Sequence, residues 1–281
     1  MGRVLSFGLL LFVWTGLSPS VSAQSTAAAN PQAAVQPSHD IRSIVSSRVL
    51  RIAISRFDIP PFHRHRANGT IVGKEAELAY RIAGALAVKA VFVDDATTFD
   101  EVVKLVADGR ADIGINALSQ TFGAVTSVRF SVPYMTLRHA LLYNRTIVAQ
   151  EANGAPPEEI LREFRGKIGI IAASPFVGFA DQNFPWAPIV QYQTWDDAIR
   201  GLRSGDVDAL YNNEFEVRRV LKDNPALHVR YGAAVMKDKW AFLAIAVCDS
   251  CAKLQEFINY YIAQTHTTFS IKELLSTSES D

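Results

Sequence analysis

A pattern of apolar and polar positions occurs twice in this chain. The segment FDEVVKLVADGRADIGI begins at Phe99 and WDDAIRGLRSGDVDALY begins at Trp195, with aromatic, acidic, glycine and aspartate positions matching at one offset of 96. In each copy, acids after the aromatic residue favour a helix start, and a glycine fits the left-handed position after the helix. Three residues later an aspartate, Asp112 or Asp208, opens a short apolar run typical of a buried strand. The repeat predicts two similar lobes.

The residues before the first copy predict an α/β lobe. Residues 50–55 have the composition of a strand, and the prolines at 60–61 cannot continue it. Asn68-Gly69 is a hairpin turn signal, and residues 75–88 place apolar side chains four apart on one helix face. A strand at 90–93 follows. Strands that alternate with helices in this way predict a parallel sheet.

Length and charge limit the choices further. A chain of 281 residues suits two cores better than one. The 28 basic and 28 acidic residues balance, which gives no electrostatic argument for nucleic acid or an anionic membrane as a partner. We expect a monomer that binds no nucleic acid.

The N-terminus has the order of a secretory signal peptide. Arg3 is followed by the apolar run VLSFGLLLFVW and by small residues at Val21 and Ala23, which predicts a signal peptide over 1–23 and an exported, periplasmic protein. An uncleaved anchor is the alternative, although the run is short for a membrane span. Residues 24–44 are rich in Ala, Gln, Pro and Ser at their start and are predicted to be a flexible linker.

Several blocks resemble consecutive motifs of the family 3 extracytoplasmic solute-binding proteins, the amino-acid-binding type. They are LRIAISRFDIPPF, NGTIVGKEAEL, FDEVVKLVADGRADIGINALSQT, RFSVPYMTLRHALLYNR, KIGIIAAS, GDVDALYNNE and WAFLAIAV, within residues 50–247. The resemblance implies a two-lobed α/β fold of the type II periplasmic class, with a parallel-rich sheet in each lobe and two hinge strands near 137–143 and 234–242. Lobe 1 would be 45–138 plus 238–281, and lobe 2 would be 139–237.

The function that this resemblance implies is capture of a small solute between the lobes for an ABC-type importer, by hinge closure and without a cofactor or metal. Two alternatives stay open. Some proteins of this fold are cyclohexadienyl dehydratase-like enzymes, for which Glu75 or Glu214 would supply the acid. Others sense a ligand and then contact a membrane receptor.

The chain departs from the amino-acid-binding pattern at the positions that grip the ligand. Ala124 stands where the family has the arginine that holds the α-carboxylate. Asn213 and Arg56 stand where acids would hold the ammonium, and Ile59 and Lys74 replace the stacking aromatic residues. An ammonium buried without an acid is costly, so these departures predict a polar or anionic ligand other than a standard amino acid.

The predicted site combines two cations with hydroxyl groups. Arg56 and Lys74 would bind an anionic group, and Ser119 and Ser174 would donate hydrogen bonds. The alternative is that both cations lie on the rim in solvent. The predicted ligand-binding residues are Arg56, Ile59, Lys74, Ala117, Ser119, Ser174 and Asn213.

Other candidate chemistry is sparse. Cys248 and Cys251 form CDSC just before a predicted helix, which in an exported protein indicates a local disulfide, with a redox-active pair as the alternative. His63 and His65 alternate on a predicted strand and offer two nitrogens without a third metal ligand, so no metal is expected.

The aromatic and acidic residues of the repeat have structural interpretations. We expect Phe99 and Trp195 to pack each helix on its sheet. We expect Asp112 and Asp208 to cap or pair at the strand entries.

Overall fold

The computed structural model describes residues 40–151 and 163–277. The predicted signal peptide and most of the predicted linker therefore lie outside the described residues. Helix α1 (Ile41–Ser47) begins directly after Asp40, whose Oδ1 accepts the N–H of Ile41 at 2.8 Å. Ile44 is buried, so α1 packs on the fold through this residue. The linker prediction is wrong for residues 41–44, because they form part of this helix.

Five strands in the described residues form the first sheet. Its strand order is β4-β1-β5-β12-β6, with β1 parallel to β4 and β5, and β12 antiparallel to β5 and β6. The bounds are β1 (Val49–Ser55), β4 (Lys89–Ala96), β5 (Ile113–Gly114), β6 (Val128–Phe130) and β12 (Ala246–Cys248). The strands predicted at 50–55 and 90–93 lie in β1 and β4.

Helices and a hairpin surround this first sheet. The helices are α2 (Lys74–Ala85), α3 (Phe99–Ala107) and α8 (Ala252–Thr265). The hairpin is β2 (Arg64–His65) and β3 (Ile71–Val72), and Gly69 in its turn has φ 78°, as the Asn-Gly signal predicts. Because α2 buries Leu78 and Ile82, its apolar stripe faces inward as the periodicity indicates.

The second sheet also has five strands within the described part of the chain, in the order β11-β7-β10-β8-β9. Strand β8 is parallel to β9 and β10, while β7 is antiparallel to β10 and β11. The strands are β7 (Met135–Asn144), β8 (Ile168–Ile171), β9 (Ile189–Tyr192), β10 (Ala209–Asn213) and β11 (Tyr231–Leu243). The associated helices are α4 (Arg145–Glu151), α5 (Phe176–Asn183), α6 (Trp195–Ser204) and α7 (Glu214–Asp223).

Two long strands connect the lobes. The chain passes from the first sheet into the second through β7 and returns through β11 to β12. The two strands pair from Tyr231 opposite Asn144 to Leu243 opposite Met135. Both predicted hinge segments, 137–143 and 234–242, lie in this pair. The exact lobe boundaries given above stay a prediction.

The sequence repeat produces the same contacts in both lobes. Asp112 accepts the N–H of Arg51 at 2.7 Å, and Asp208 accepts the N–H of Lys167 at 2.8 Å. In return, each aspartate donates its own N–H to the carbonyl of that same partner. Each aspartate therefore links the entry of its own strand, β5 or β10, to β1 or to the residue before β8, which confirms the structural interpretation of both residues.

The two repeat helices begin alike, and a glycine follows each within two residues of its end. Thr98 caps α3 by accepting the N–H of Glu101, and Thr194 caps α6 by accepting the N–H of Asp197, both at 3.1 Å. The glycines at 109 and 205 have φ 70° and 86°. These are left-handed values that a glycine adopts without a Cβ penalty.

The C-terminal residues extend across the molecule. A disulfide joins Cys248, at the end of β12, to Cys251, the residue before α8. Helix α9 (Ile271–Thr277) then follows, and the ammonium of Lys222 on α7 donates to the carbonyl of Leu275 at 2.8 Å. None of the helices within residues 40–151 and 163–277 has the length and apolar character that a membrane crossing needs.

Candidate functional site

A cavity of about 370 Å³ lies between loops of the two lobes. This volume falls in the range of sites that bury a small molecule. Lobe 1 contributes Phe57, Asp58, Ile59, Pro60, Phe62, Phe99, Ala117 and Ser119. Lobe 2 contributes Ile171, Ser174, Pro175, Phe176, Gln193, Thr194, Trp195, Asp196, Asn212, Asn213, Glu216 and Arg219.

The cavity walls form where strands end. Residues 57–60 follow β1, and Ala117 and Ser119 follow β5. On the other side, Ser174 follows β8 and Thr194 follows β9. Open α/β sheets bind ligands at the carboxyl ends of their strands, which is the arrangement expected from the sequence.

Five of the seven predicted ligand-binding residues line this cavity. They are Ile59, Ala117, Ser119, Ser174 and Asn213. Their polar groups already serve the fold in part: Ser174 Oγ donates to the carbonyl of Ile171 at 2.6 Å, and Asn213 Oδ1 accepts the N–H of Glu216 at 2.9 Å. Whether they contact a ligand stays a prediction.

Arg56 and Lys74 are not among the residues that line this cavity, so the cavity does not support the predicted cationic pair. The N–H of Arg56 is held by the carbonyl of Ala96 at 2.8 Å, and the residue is exposed. Hydrogen bonds from Thr97, and to a smaller extent the charge of Arg56, lower the pKa of Glu101. The charge of Arg56 therefore lies near Glu101 on α3, in an exposed position.

Lys74 lines a different pocket from the cavity between the lobes. It begins α2 on the side that faces the C-terminal segment, where a separate pocket of about 220 Å³ also contains Glu77, Arg81 and Glu273. The rim alternative, not the cleft hypothesis, agrees with these positions.

Acidic residues instead dominate the charge of the cavity. Asp58, Asp196 and Glu216 line it, together with one guanidinium from the described residues, that of Arg219. The Arg219 Nη2 lies 2.8 Å from Glu216 Oε2, and Nη1 lies 3.4 Å from Asp223 Oδ2. Burial lowers the pKa of Arg219, but the two carboxylates outweigh it and raise the pKa, so the guanidinium stays charged.

Asp58 is the carboxylate of the lobe 1 wall. Its Oδ1 accepts the N–H of His65 at 2.9 Å and lies 2.8 Å from His65 Nδ1. Burial raises the pKa of Asp58, but the bonds with His65 outweigh burial and lower it, so Asp58 stays ionised. Sequence reasoning missed all these acids, because acids near helix starts and turns also serve as caps.

The two histidines belong to separate networks. His63 is fully buried, with Nε2 3.0 Å from Ser55 Oγ, whereas His65 faces Asp58. Their ring centroids lie 6.0 Å apart. Across the described residues, no group of three or more His, Cys, Asp or Glu side chains is arranged to hold a metal ion.

Aromatic rings form much of the remaining wall. Phe57 and Phe99 meet edge to face at 5.7 Å between ring centroids in lobe 1, and lobe 2 contributes Phe176 and Trp195. Phe99 and Trp195 also pack on the cores of their lobes, as expected. The structure adds that each also borders the cavity, which the sequence interpretation did not include.

The two acids considered for elimination chemistry lie off the cavity. Glu75 is fully buried and accepts the N–H of Ala117 at 2.6 Å. Glu214 Oε1 accepts the N–H of Arg138 at 3.0 Å. Neither residue borders the cavity, so neither is placed to reach a substrate there.

Comparisons with known proteins agree with this architecture. Residues 50–153 match the family model of bacterial extracellular solute-binding proteins, family 3. A putative ABC transporter arginine-binding protein 2 of Escherichia coli is 24% identical over 218 residues, which covers 77% of this chain and 85% of the relative. A histidine-binding periplasmic protein of Escherichia coli is 24% identical over 187 residues, covering 65% of this chain and 68% of the relative.

Solved structures share the fold at low identity. An amino acid ABC transporter substrate-binding protein of Streptococcus pneumoniae, bound to L-arginine, matches with a TM-score of 0.65 at 23% identity, covering 84% of this chain and 96% of that chain. An ancestral amino-acid-binding protein, described as a precursor of cyclohexadienyl dehydratase, matches with a TM-score of 0.65 at 22% identity, covering 84% and 97%. The chain therefore has the two-lobed type II periplasmic fold, and the match over residues 50–153 confirms its resemblance to the family 3 bacterial extracellular solute-binding proteins.

Proposed function

We propose that this protein is an exported solute-binding protein that captures a small organic cation between its lobes for an ABC-type importer. The observation that carries the proposal is the charge of the cavity, where three carboxylates accompany one guanidinium that is already paired. A cation would offset the remaining negative charge, whereas an anion would meet repulsion.

Because Arg56 and Lys74 are not among the lining residues, the charge of this cavity gives no support for an anionic ligand. The sequence-based argument against amino acids also assumed that no acid faces the ligand, and Asp58, Asp196 and Glu216 supply that charge. Edge and face contacts with Phe57 and Trp195 suit a cation or an apolar chain. Relatives that bind arginine or histidine are consistent with this charge.

A ligand carboxylate also has candidate partners. Helices α5, α6 and α7 begin beside lining residues, and the start of a helix carries partial positive charge. Arg219 retains N–H groups beyond those bound to Glu216 and Asp223. In a molecule of amino-acid size that carries a cation and a carboxylate, the cation would meet the acidic side chains, and the carboxylate would meet Arg219 and the helix starts.

Isothermal titration calorimetry tests the charge of the ligand. L-arginine and L-histidine carry a cation and a carboxylate, agmatine carries the guanidinium of arginine without the carboxylate, and L-glutamate and citrate are net anions. We expect binding by at least one cation and none by the two anions. Tighter binding of glutamate or citrate than of every cation would contradict the proposal.

A matched pair of charge variants locates the binding. Asp196 lines the cavity, while Asp197 beside it does not and pairs with Arg200. Asp196→Asn should weaken binding of the cation about tenfold, the equivalent of about 1.4 kcal/mol, because one charge-assisted contact is lost. Asp197→Asn should leave the affinity unchanged. Equal effects of the two variants would place the binding elsewhere.

Experiments can distinguish three functions for this protein: delivery of a solute to an importer, sensing for a membrane receptor, and catalysis. Docking to a permease stays a proposal that rests on the family, as does periplasmic export. Incubation with a prephenate-like acid and detection of an aromatic product tests the dehydratase alternative. We expect no turnover, because Glu75 and Glu214 lie away from the cavity.

A further inference from the structure

A fully buried carboxylate lies beneath the floor of the cavity. Glu75, in the first turn of α2, is 0% exposed, and its Oε1 accepts both the N–H of Ala117 at 2.6 Å and the hydroxyl of Tyr134. Burying an ionised group is unfavourable unless such partners compensate for its lost hydration. Glu75 does not line the cavity, so ligand contact does not explain its position.

One of its partners, Ala117, lies in the cavity floor with a constrained backbone. Ala117 has φ 47°, a left-handed value that is unfavourable for a residue with a Cβ. Two residues later, Ser119 forms a bridge with Leu243, and the N–H of Gln120 donates to the carbonyl of Phe242. The turn at Ala117 thus sets the path from the cavity floor to the hinge strand β11.

The other partner of Glu75 is Tyr134, at the start of the hinge strand β7. Tyr134 directly precedes β7, and its N–H donates to the carbonyl of Leu243. Burial, followed by the charge of Glu75, raises the pKa of the Tyr134 hydroxyl far above its usual range, so the hydroxyl keeps its proton and donates it. One carboxylate oxygen therefore joins the cavity floor to both hinge strands.

A second branch reaches the opposite part of the lobe 1 wall. Glu75 Oε2 lies 3.6 Å from His63 Nδ1, and His63 Nε2 lies 3.0 Å from both Ser55 Oγ and the carbonyl of Phe57. The order Ser55, His63, Glu75 resembles a hydrolytic triad, but all three side chains are 0% exposed and no substrate can reach the hydroxyl. The arrangement supports the wall and does not provide a nucleophile.

We propose that Glu75 is a positioning residue that sets the conformation of the cavity floor at Ala117 and links it to the hinge strands, so that ligand affinity depends on a group that never touches the ligand. This inference rests on the proposed function in one respect, that the ligand binds in the cavity between the lobes. A site whose floor is fixed in advance loses less conformational entropy when the ligand binds.

Two substitutions separate position from charge. In Glu75→Gln, the amide oxygen can still accept from Ala117 and Tyr134, so calorimetry with L-arginine as the probe should give an affinity within about threefold of the wild type. In Glu75→Ala the acceptor is gone, and the affinity should fall by at least about tenfold. The control is Glu77→Ala, which removes an exposed acid from the same first turn of α2 and leaves the bonds of Glu75 intact, and its affinity should stay within about threefold.

The outcomes that would overturn the proposal are specific. A folded Glu75→Ala protein with wild-type affinity would do so, as would Glu75→Gln losing affinity as far as Glu75→Ala. If Glu75→Ala does not fold, hydrogen exchange on the wild type decides: the Ala117 amide should exchange at least about a hundredfold more slowly than the exposed hairpin amides at 67–68. Fast exchange at Ala117 overturns the positioning role even where no ligand binds, whereas slow exchange without arginine binding counts against the proposed ligand alone.

Discussion

His139 lies on β7 with its ring inside lobe 2. Its Nδ1 bonds with the hydroxyl of Tyr211, and its ring centroid lies 5.2 Å from that of Phe176 and 4.7 Å from that of Phe179. Burial, followed by the nearby charge of Lys239, lowers the pKa of His139 to about 4. The folded protein therefore holds this imidazole neutral at a pH where an unfolded chain would protonate it.

This difference predicts a loss of stability in acid. Because an unfolded histidine titrates near pH 6.5, the contribution of His139 is complete above that pH and is lost as the pH falls from about 6.5 towards 4. The free energy of unfolding should fall by about 2 to 3 kcal/mol between pH 7 and pH 4.5 from this residue. Urea unfolding at the two pH values measures the change.

The control for this prediction is His139→Gln, which can keep a hydrogen bond with Tyr211 but does not titrate. Its unfolding free energy should depend less on pH over the same interval. An identical decrease in the variant and the wild type would assign the pH dependence to other groups.

Single residues also mark the limit of prediction from sequence. Asp112 and Asp208 were assigned correctly because each role depends on local strand entry, which the repeat states twice. The positions of Arg56 and Lys74 depend on how a loop and a helix start rotate against residues distant in sequence. A match to a sequence motif predicts where the backbone of a residue lies, but it does not predict the direction of the side chain.

At the scale of elements, the repeat accounts for most of what could be predicted. Helices α3 and α6 begin at Phe99 and Trp195, the first residues of the two copies, because threonine caps and first-turn acids are local signals. The strands after them differ in length, with β5 at Ile113–Gly114 and β10 at Ala209–Asn213. Strand length depends on pairing with neighbours, which a local pattern does not encode.

The same repeat supplies a matched experiment on helix capping. Thr98→Ala and Thr194→Ala each remove the hydroxyl that accepts an N–H in the first turn, so each should lower the unfolding free energy by about 1 kcal/mol. Of the two, Thr194 lines the cavity. Only Thr194→Ala should therefore also weaken binding of the cation in calorimetry.

Two results would contradict the assignment of both threonines as helix caps and of Thr194 alone as a cavity contact. If both alanine variants lost affinity to the same degree, the loss would reflect general destabilisation and not contact at the cavity. If neither variant lost stability, the caps would have no energetic role in these two helices.

At the scale of the whole molecule, helix α7 is held from several sides. Its inner face carries Glu216 and Arg219 into the cavity, and Phe215 meets Phe62 of lobe 1 at 5.6 Å between ring centroids. At its other end, Lys222 donates to Leu275 of α9, although α9 follows the last helix of lobe 1. The helix that presents charge to the cavity is therefore also the helix that contacts the other lobe.

This arrangement predicts that α9 favours the approach of the lobes. A solute-binding protein moves between open and closed forms, and contacts present only in the closed form shift the population towards it. A chain that ends at Ser270 lacks α9 and should show a larger radius of gyration without ligand in small-angle X-ray scattering. It should also release L-arginine faster in stopped-flow measurements.

Variants of two lysines distinguish the contact between α7 and α9 from a general effect of removing a positive charge. Lys222→Ala removes the donor to Leu275 and should accelerate ligand release in the same direction as the truncation. Lys272→Ala changes an exposed residue on α9 itself and should leave the release rate unchanged. Because closure depends on differential contact between the two forms, an unchanged radius of gyration and release rate in the truncated chain would mean that α9 moves with α7 in both forms and exerts no bias on the equilibrium.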